Sequence, residues 1–316
     1  MVQAEEIIGL FPDFLRGIWK RVAEEAQYLQ EIRLRADKPV IVRLRQKEWF
    51  LASDGTLTGD AYRAFCIGRK ELDAVLNHIC RYSVYAYEDE LRQGFLTVPG
   101  GHRVGVAGQV IAGKEGSVLR LKQIAYLNIR IAHEIIGAAD AVLPFLYRDG
   151  QFLSVMIISP PGCGKTTMLR DMIRQVSNGN PYGKGMCVGV VDERSEIAGS
   201  YMGMAQNDVG IRTDVLDGCP KAAGKMMLIC SMTPRVVAAD EIGSVEDVQA
   251  LAQALRCGSD LIVTIHGNSV EEVRRKKNIA PLLEQKEFKR FIVLARRKGQ
   301  CIVDGIFDEE YRLCCG

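Results

Sequence analysis

Apolar and polar positions alternate mostly by two through the first 135 residues, then give way to unbroken apolar runs separated by helical stretches. The opening segment is the exception. Ile7, Ile8, Leu10, Phe11, Phe14, Leu15, Ile18, Trp19 and Val22 recur at helical spacing, with Pro12 dividing the stripe or starting its second part. Asp13, Glu24 and Glu25 dilute any basic face, so the stripe reads as a helix packed on its own domain, not one lying on a membrane. Glu31-Ile32-Arg33-Leu34-Arg35 and Pro39 to Arg45 alternate apolar with charged residues, the mark of strands with one wet face. Asp54-Gly55 signals a turn, and Leu72, Val75, Leu76 and Ile79 predict a helix over 70–80. Gly94 to Val98 and His102 to Ile111 predict a hairpin around Pro99-Gly100-Gly101, and Val118 to Leu121 and Leu127 to Ala132 continue the strand character.

Residues 1–135 are therefore expected to form a smaller α+β domain. Its arginines (Arg33, Arg35, Arg43, Arg45, Arg103, Arg120 and Arg130) repeat on strand faces. Few aromatics interleave with them, which argues against a stacking platform for single-stranded nucleic acid. A solvated sheet face and a functional one both remain open.

Residues 136–316 are expected to form a second, α/β domain. His133 to Asp149 reads as a helix leading into it. Strands are expected at 153–158, 186–191, 235–239, 261–265 and 290–295, with a last pair at 301–303 and 305–307. Their alternation with helices argues for a doubly wound core.

Composition narrows the class without choosing the chemistry. Apolar residues are 47% of the 316, charged residues 25%, and the net charge is +2, which fits a soluble globular protein and gives no overall basic excess. The ten cysteines show no CxxC pair, against a zinc site, and no framework spacing, which suggests reduced thiols and a cytoplasmic setting. No apolar run approaches the ~18 residues of a membrane span, and the N-terminus lacks the charged start of a signal peptide.

The chemistry starts at Ser159-Pro160-Pro161-Gly162-Cys163-Gly164-Lys165-Thr166-Thr167, between the apolar run Val155 to Ile158 and the helix-like Met168 to Ile173. Strand, glycine-rich loop and helix in that order are the setting of a P-loop, or Walker A motif. Pro161 to Thr167 would then cradle the phosphates of ATP. Gly162 and Gly164 leave room for backbone N–H groups, and the helix start adds its positive end. Lys165 is placed to reach the β- and γ-phosphates, and the Thr166 hydroxyl to ligate Mg²⁺. Ser159 stands where a first glycine is usual; that position mainly shapes the turn.

Three downstream stretches fit that loop. Arg235 to Glu241 is an apolar strand ending in two acids, a Walker B arrangement. Asp240 would hold the Mg²⁺ shell and Glu241 would polarise the attacking water. Cys187 to Glu196 is a second apolar strand ending in charge, expected beside the P-loop strand. There Glu193 would hold a water or metal-bound water, and Arg194 would sense the γ-phosphate or simply pair with Glu196. Leu261 to Asn268 places His266 just past a strand expected next to Walker B, as a γ-phosphate sensor.

The order Walker A, acidic box, Walker B, Thr-x-His resembles the secretion-ATPase branch of hexameric P-loop enzymes. The segments Glu31 to Arg35, Gly101 to Gly105, Asp192 to Gly199 and Arg212 to Lys221 resemble the stage III sporulation protein AA family more closely. The resemblance implies a RecA-like P-loop ATPase domain after the α+β domain. It also implies a homo-hexamer in the mother-cell cytoplasm, peripheral to the membrane, serving membrane-embedded sporulation channel proteins, with Arg212 or Arg256 contacting a neighbouring subunit. No nucleic-acid partner is expected. A nucleic-acid translocase on the same core, or a scaffold gated by nucleotide, are the competing readings.

Overall fold

Pro12 separates two short helices, α1 (Val2–Gly9) and α2 (Asp13–Glu24), in a computed structural model that describes residues 2–113, 118–219, 221–297 and 300–315. Pro220, within the Arg212–Lys221 motif, lies outside the described residues. The chain divides into two compact units, Met1–His133 and Glu134–Gly316.

In the first unit Leu15, Trp19 and Val22 of α2 are buried in the unit's own core, and the Trp19 ring stacks on Phe11 with centroids 4.2 Å apart. The period-two segments form one antiparallel sheet of seven strands. These are β1 (Leu29–Arg35), β2 (Ile41–Leu44), β3 (Lys47–Leu51), β4 (Leu57–Thr58), β5 (Phe95–Val98), β6 (His102–Ala112) and β7 (Val118–Arg130). The spatial order is β4-β3-β2-β1-β7-β6-β5. Ile32 and Leu34 of β1 are buried while Arg33 is exposed, as one wet face requires. Helix α3 (Arg69–Ile79) covers the apolar face with Leu72, Val75 and Leu76, and a short α4 spans Glu88–Arg92. The β5–β6 hairpin turns through Pro99–Gly101. Gly100 has φ 79°, and a Cβ there would sit 2.8 Å from a Glu6 carboxylate oxygen, so glycine is required.

The second unit carries an eight-stranded sheet made of β8 (Val155–Ser159), β9 (Val188–Asp192), β10 (Thr213–Asp217), β11 (Val236–Ala239), β12 (Asp260–His266), β13 (Arg290–Arg297), β14 (Gln300–Phe307) and β15 (Leu313–Cys315). Its order is β10-β9-β11-β12-β8-β13-β14-β15, with the first six parallel and the last two added antiparallel. Strands buried on both faces read as apolar runs. Val155 and Ile157 of β8 face the core that holds α5 (Lys165–Asn178), through Leu169, Met172 and Ile173. Met156 and Ile158 face the opposite core, with Val248 and Leu251 of α6 (Val245–Arg256).

Three expectations fail here. His133 to Asp149 is not a helix; only Leu143–Leu146 forms a turn of 3₁₀ helix. Gly137 takes a left-handed φ of 84°, and Pro144 supplies no N–H. Ala139, Val142, Leu143 and Leu146 are still buried, whereas Ile135 and Ile136 are exposed, and the Asp171 carboxylate accepts the Ala139 N–H at 2.8 Å. The pair at 301–303 and 305–307 is one strand. Its Asp304-Gly305 looks like a turn, but pairing jumps from Val293↔Gly305 to Leu294↔Val303, so a bulge absorbs Asp304. Finally, β9 does not lie beside β8, because β11 and β12 intervene. Strands β10 and β15 were not anticipated. Each has polar or exposed residues at a sheet margin, where no apolar run is needed. Among the described residues no helix is long and apolar enough to cross a membrane.

Candidate functional site

The loop between β8 and α5 has the backbone its glycines predict: φ is 69° at Gly162 and 77° at Gly164, the N-cap residue just before α5. No side chain caps the first turn of α5, so its amide groups have no side-chain acceptor at Gly164. Cys163 is buried and anchors the loop, while Pro161 and Gly162 are exposed, and Gly164, Lys165, Thr166 and Thr167 are half-buried. Ser159 is buried, and its hydroxyl donates to the Pro160 carbonyl at 2.9 Å. A side chain at this position therefore fits the turn.

The end of β11 brings acids to this loop. The Thr166 hydroxyl donates to Asp240 Oδ2 at 2.8 Å. Lys165 Nζ lies 3.7 Å from Asp240 Oδ1 and 3.5 Å from Glu241 Oε1. Lys165, Thr166, Asp240 and Glu241 are thus in one place. His266 ends β12, in register with Ser159 at the end of β8, so it borders the same loop; its side chain is exposed. Strand order explains the convergence, since β11, β12 and β8 are consecutive and parallel and deliver their C-terminal ends side by side.

Glu193 and Arg194 follow β9, two strands further from β8, and both are exposed. Their loop is tied to α5 instead. Arg170 of α5 donates to the carbonyls of Ile197 (2.6 Å) and Glu196 (2.7 Å). Asp192 is buried and accepts the N–H groups of Glu196, Ile197 and Ala198 at 2.8–2.9 Å. Burial pushes its carboxyl up to about 6 despite those donors, with nearby Asp217 adding to the rise. Asp192 thus shapes the loop. Arg212 is engaged within the same unit, donating to the carbonyls of Ser177 (2.9 Å) and Asn178 (3.4 Å) at the end of α5.

Two further residues join the site: Thr264, the threonine of the Thr-x-His stretch, whose role the sequence leaves unassigned, and Arg296, which no motif singles out. Thr264 is fully buried on β12, donates its hydroxyl to Asp240 Oδ1 and accepts the Glu241 N–H at 2.7 Å. It fixes both acids, and Glu241 sits at a left-handed φ of 52° that this contact helps hold. The signal in the sequence is the threonine of Thr-x-His, a hydroxyl inside the apolar run Leu261-Ile262-Val263-Thr264-Ile265. Thr264→Val keeps the shape but removes the hydroxyl's contacts with the Glu241 N–H and with Asp240 Oδ1. It is expected to lower stability by about 1–3 kcal/mol in urea unfolding. Arg296 of β13 donates to the Gly162 carbonyl at 2.6 Å and so fastens the loop from the other side. Nothing in its strand marks it: Arg296 follows the unbroken apolar run Phe291 to Ala295 as one of two arginines at the strand end.

With this geometry in place, the comparisons are informative. The sequence matches the family model for sporulation stage III, protein AA over residues 1–313. The chain belongs to that family. It is 40% identical over 307 residues to stage III sporulation protein AA of Bacillus subtilis (strain 168), covering 96% of this chain and 95% of that protein. Among solved structures it resembles the Legionella pneumophila ATPase DotB, with TM-score 0.60, 14% identity, and 94% of this chain and 81% of that one covered. It also resembles the pilus retraction motor PilT, solved with bound ADP, with TM-score 0.60, 15% identity, and 92% and 81% covered. At these identities the likeness is one of fold: this family member has the mixed α/β, RecA-like fold of secretion ATPases.

Proposed function

We propose that the chain is a Mg²⁺-dependent ATPase, a secretion-type motor that energises a channel between mother cell and forespore. The observation that carries this is the 2.8 Å contact of Thr166 with Asp240 beside Lys165 and Glu241. Two left-handed glycines, an uncapped helix start, a lysine, a hydroxyl and a carboxylate form a donor set that suits a triphosphate with its metal. Thr166 and Asp240 would hold Mg²⁺, which neutralises phosphate charge when bound. Pro161 to Thr167 position the phosphates, with Lys165 Nζ supplying positive charge. The Glu241 carboxylate orients the attacking water and takes its proton. Thr264 holds the Glu241 backbone, and Arg296 fixes the Gly162 carbonyl of the loop. His266 is placed to sense the γ-phosphate. Arg170 links α5 to the loop that carries Glu193 and Arg194, giving that loop a mechanical connection to the nucleotide.

The family and the secretion-ATPase fold support the finer reading of a homo-hexamer at the inner face of the membrane, working with membrane-embedded sporulation proteins. Phosphate release by the purified chain tests the reading. Release should require both ATP and Mg²⁺ and should not change on adding DNA or RNA. Stimulation by either polymer would favour a translocase instead.

A further inference from the structure

The first unit holds a hollow of about 360 Å³ on the broad face of its sheet. Its walls and floor come from three adjacent strands. Arg33 and Arg35 of β1 pair across with Asn128 and Tyr126 of β7, which in turn pair with Gly105 and Ala107 of β6. Residues two apart on a strand share a face, so these six side-chain positions form a two-by-three grid on one face. Small residues in the β6 column, with Gly94 beside them, make the depression, and the arginines and tyrosine stand around it.

Two polar atoms in this grid are buried with no hydrogen-bond partner among the described residues: Arg35 Nε and Asn128 Oδ1. Buried polar groups are nearly always paired, so each such exception calls for a partner. One is a charged donor and the other an acceptor. Arg35 otherwise makes one long contact, Nη2 to the Pro39 carbonyl at 3.4 Å. Arg33 pairs through Nε with Glu31 at 2.5 Å, which balances one of the two charges and leaves a net positive wall. Tyr126 is half-exposed at the rim, its ring open to a flat partner.

We propose that this hollow binds a small phosphorylated molecule carrying a flat ring, of mononucleotide size. The phosphate pairs with the guanidinium groups of Arg35 and Arg33, the ring lies on Tyr126, and Asn128 Oδ1 accepts a ligand N–H or O–H. The volume is that of a small-ligand site. Strands β1, β7 and β6 lie inside the sheet, so their backbone groups are already paired and no free edge awaits an added peptide strand. The proposal is independent of hydrolysis at the loop before α5.

The test is equilibrium dialysis of labelled AMP against the full-length Lys165→Ala protein, in which the loop lysine is gone. Saturable binding of one AMP per chain is expected. Adding Arg35→Ala should weaken it at least about tenfold, the loss of a charge-assisted contact. Asn128→Asp, which keeps the side-chain size but sets a carboxylate near the phosphate, should weaken it too, with the melting temperature of each variant reported alongside. The proposal is overturned if the Lys165→Ala protein binds none of AMP, GMP and pyrophosphate at millimolar concentration. It is equally overturned if binding is indifferent to Arg35→Ala and Asn128→Asp, or if acidic peptides bind there and mononucleotides do not.

Discussion

Glu241→Gln should lower ATP turnover by roughly 10²–10⁴-fold while leaving nucleotide affinity within a few-fold of wild type. In barrier terms that is about 3–5 kcal/mol. Glutamine matches glutamate in size and still offers an oxygen to water, but it does not take the proton. The substitution is local. Thr264 holds the backbone N–H of residue 241, not its side chain, so the left-handed turn is retained. The Glu241 side chain is about half exposed, so removing its charge carries a modest desolvation change. Lys165 loses one of its two acidic neighbours and keeps Asp240. Phosphate release under saturating ATP, beside a titration of a fluorescent ATP analogue, separates turnover from affinity. Equal losses in both would mean that Glu241 serves the loop's shape and not the reaction.

Lys165→Ala should weaken ATP binding by about 10–100-fold or more, the range of losing one or two hydrogen bonds to charged groups. The lysine lies at the first turn of α5, with its ammonium in a cleft where Asp240 and Glu241 supply negative charge. Without it, those carboxylates face the incoming phosphates with one fewer positive charge to offset them, so the loss exceeds that of a surface lysine. The fold itself should tolerate the change, since alanine favours a helix and the ammonium contacts are partly solvated. Calorimetric titration of ATP in the presence of Mg²⁺ measures the effect, and raising ionic strength should reduce it.

Much of this site was legible because each part sits where a buried parallel strand ends. Apolar runs such as Val155 to Ile158 and Val236 to Ala239 are unmistakable, and the residues after each run are presented to the same edge of the sheet. Sequence could not supply the lateral order of those strands. Val188 to Asp192 looks like Val236 to Ala239 in composition, yet only the latter neighbours β12, so Asp240 meets Thr166 while Glu193 and Arg194 follow a strand further out. The role of Thr264, within Thr-x-His, and the presence of Arg296 at the site are not legible for a related reason. Their roles depend on which residue lies opposite in space, Asp240 for one and Gly162 for the other. The lost helix at 133–149 shows the limit of periodicity. Apolar spacing marked Ala139, Val142, Leu143 and Leu146 as buried but also the exposed Ile135 and Ile136, and Gly137 and Pro144 decided the backbone. In the first unit the alternating arginines were visible, but the depression they border comes from strand register and from the small residues across from them.

The most direct test is steady-state phosphate release by the purified full-length chain, run beside Glu241→Gln with Mg²⁺ and again with the metal chelated. The account predicts sustained turnover in wild type that collapses on chelation and is suppressed at least about a hundredfold by the substitution. Release no faster in wild type than in Glu241→Gln, or undiminished without Mg²⁺, would contradict it.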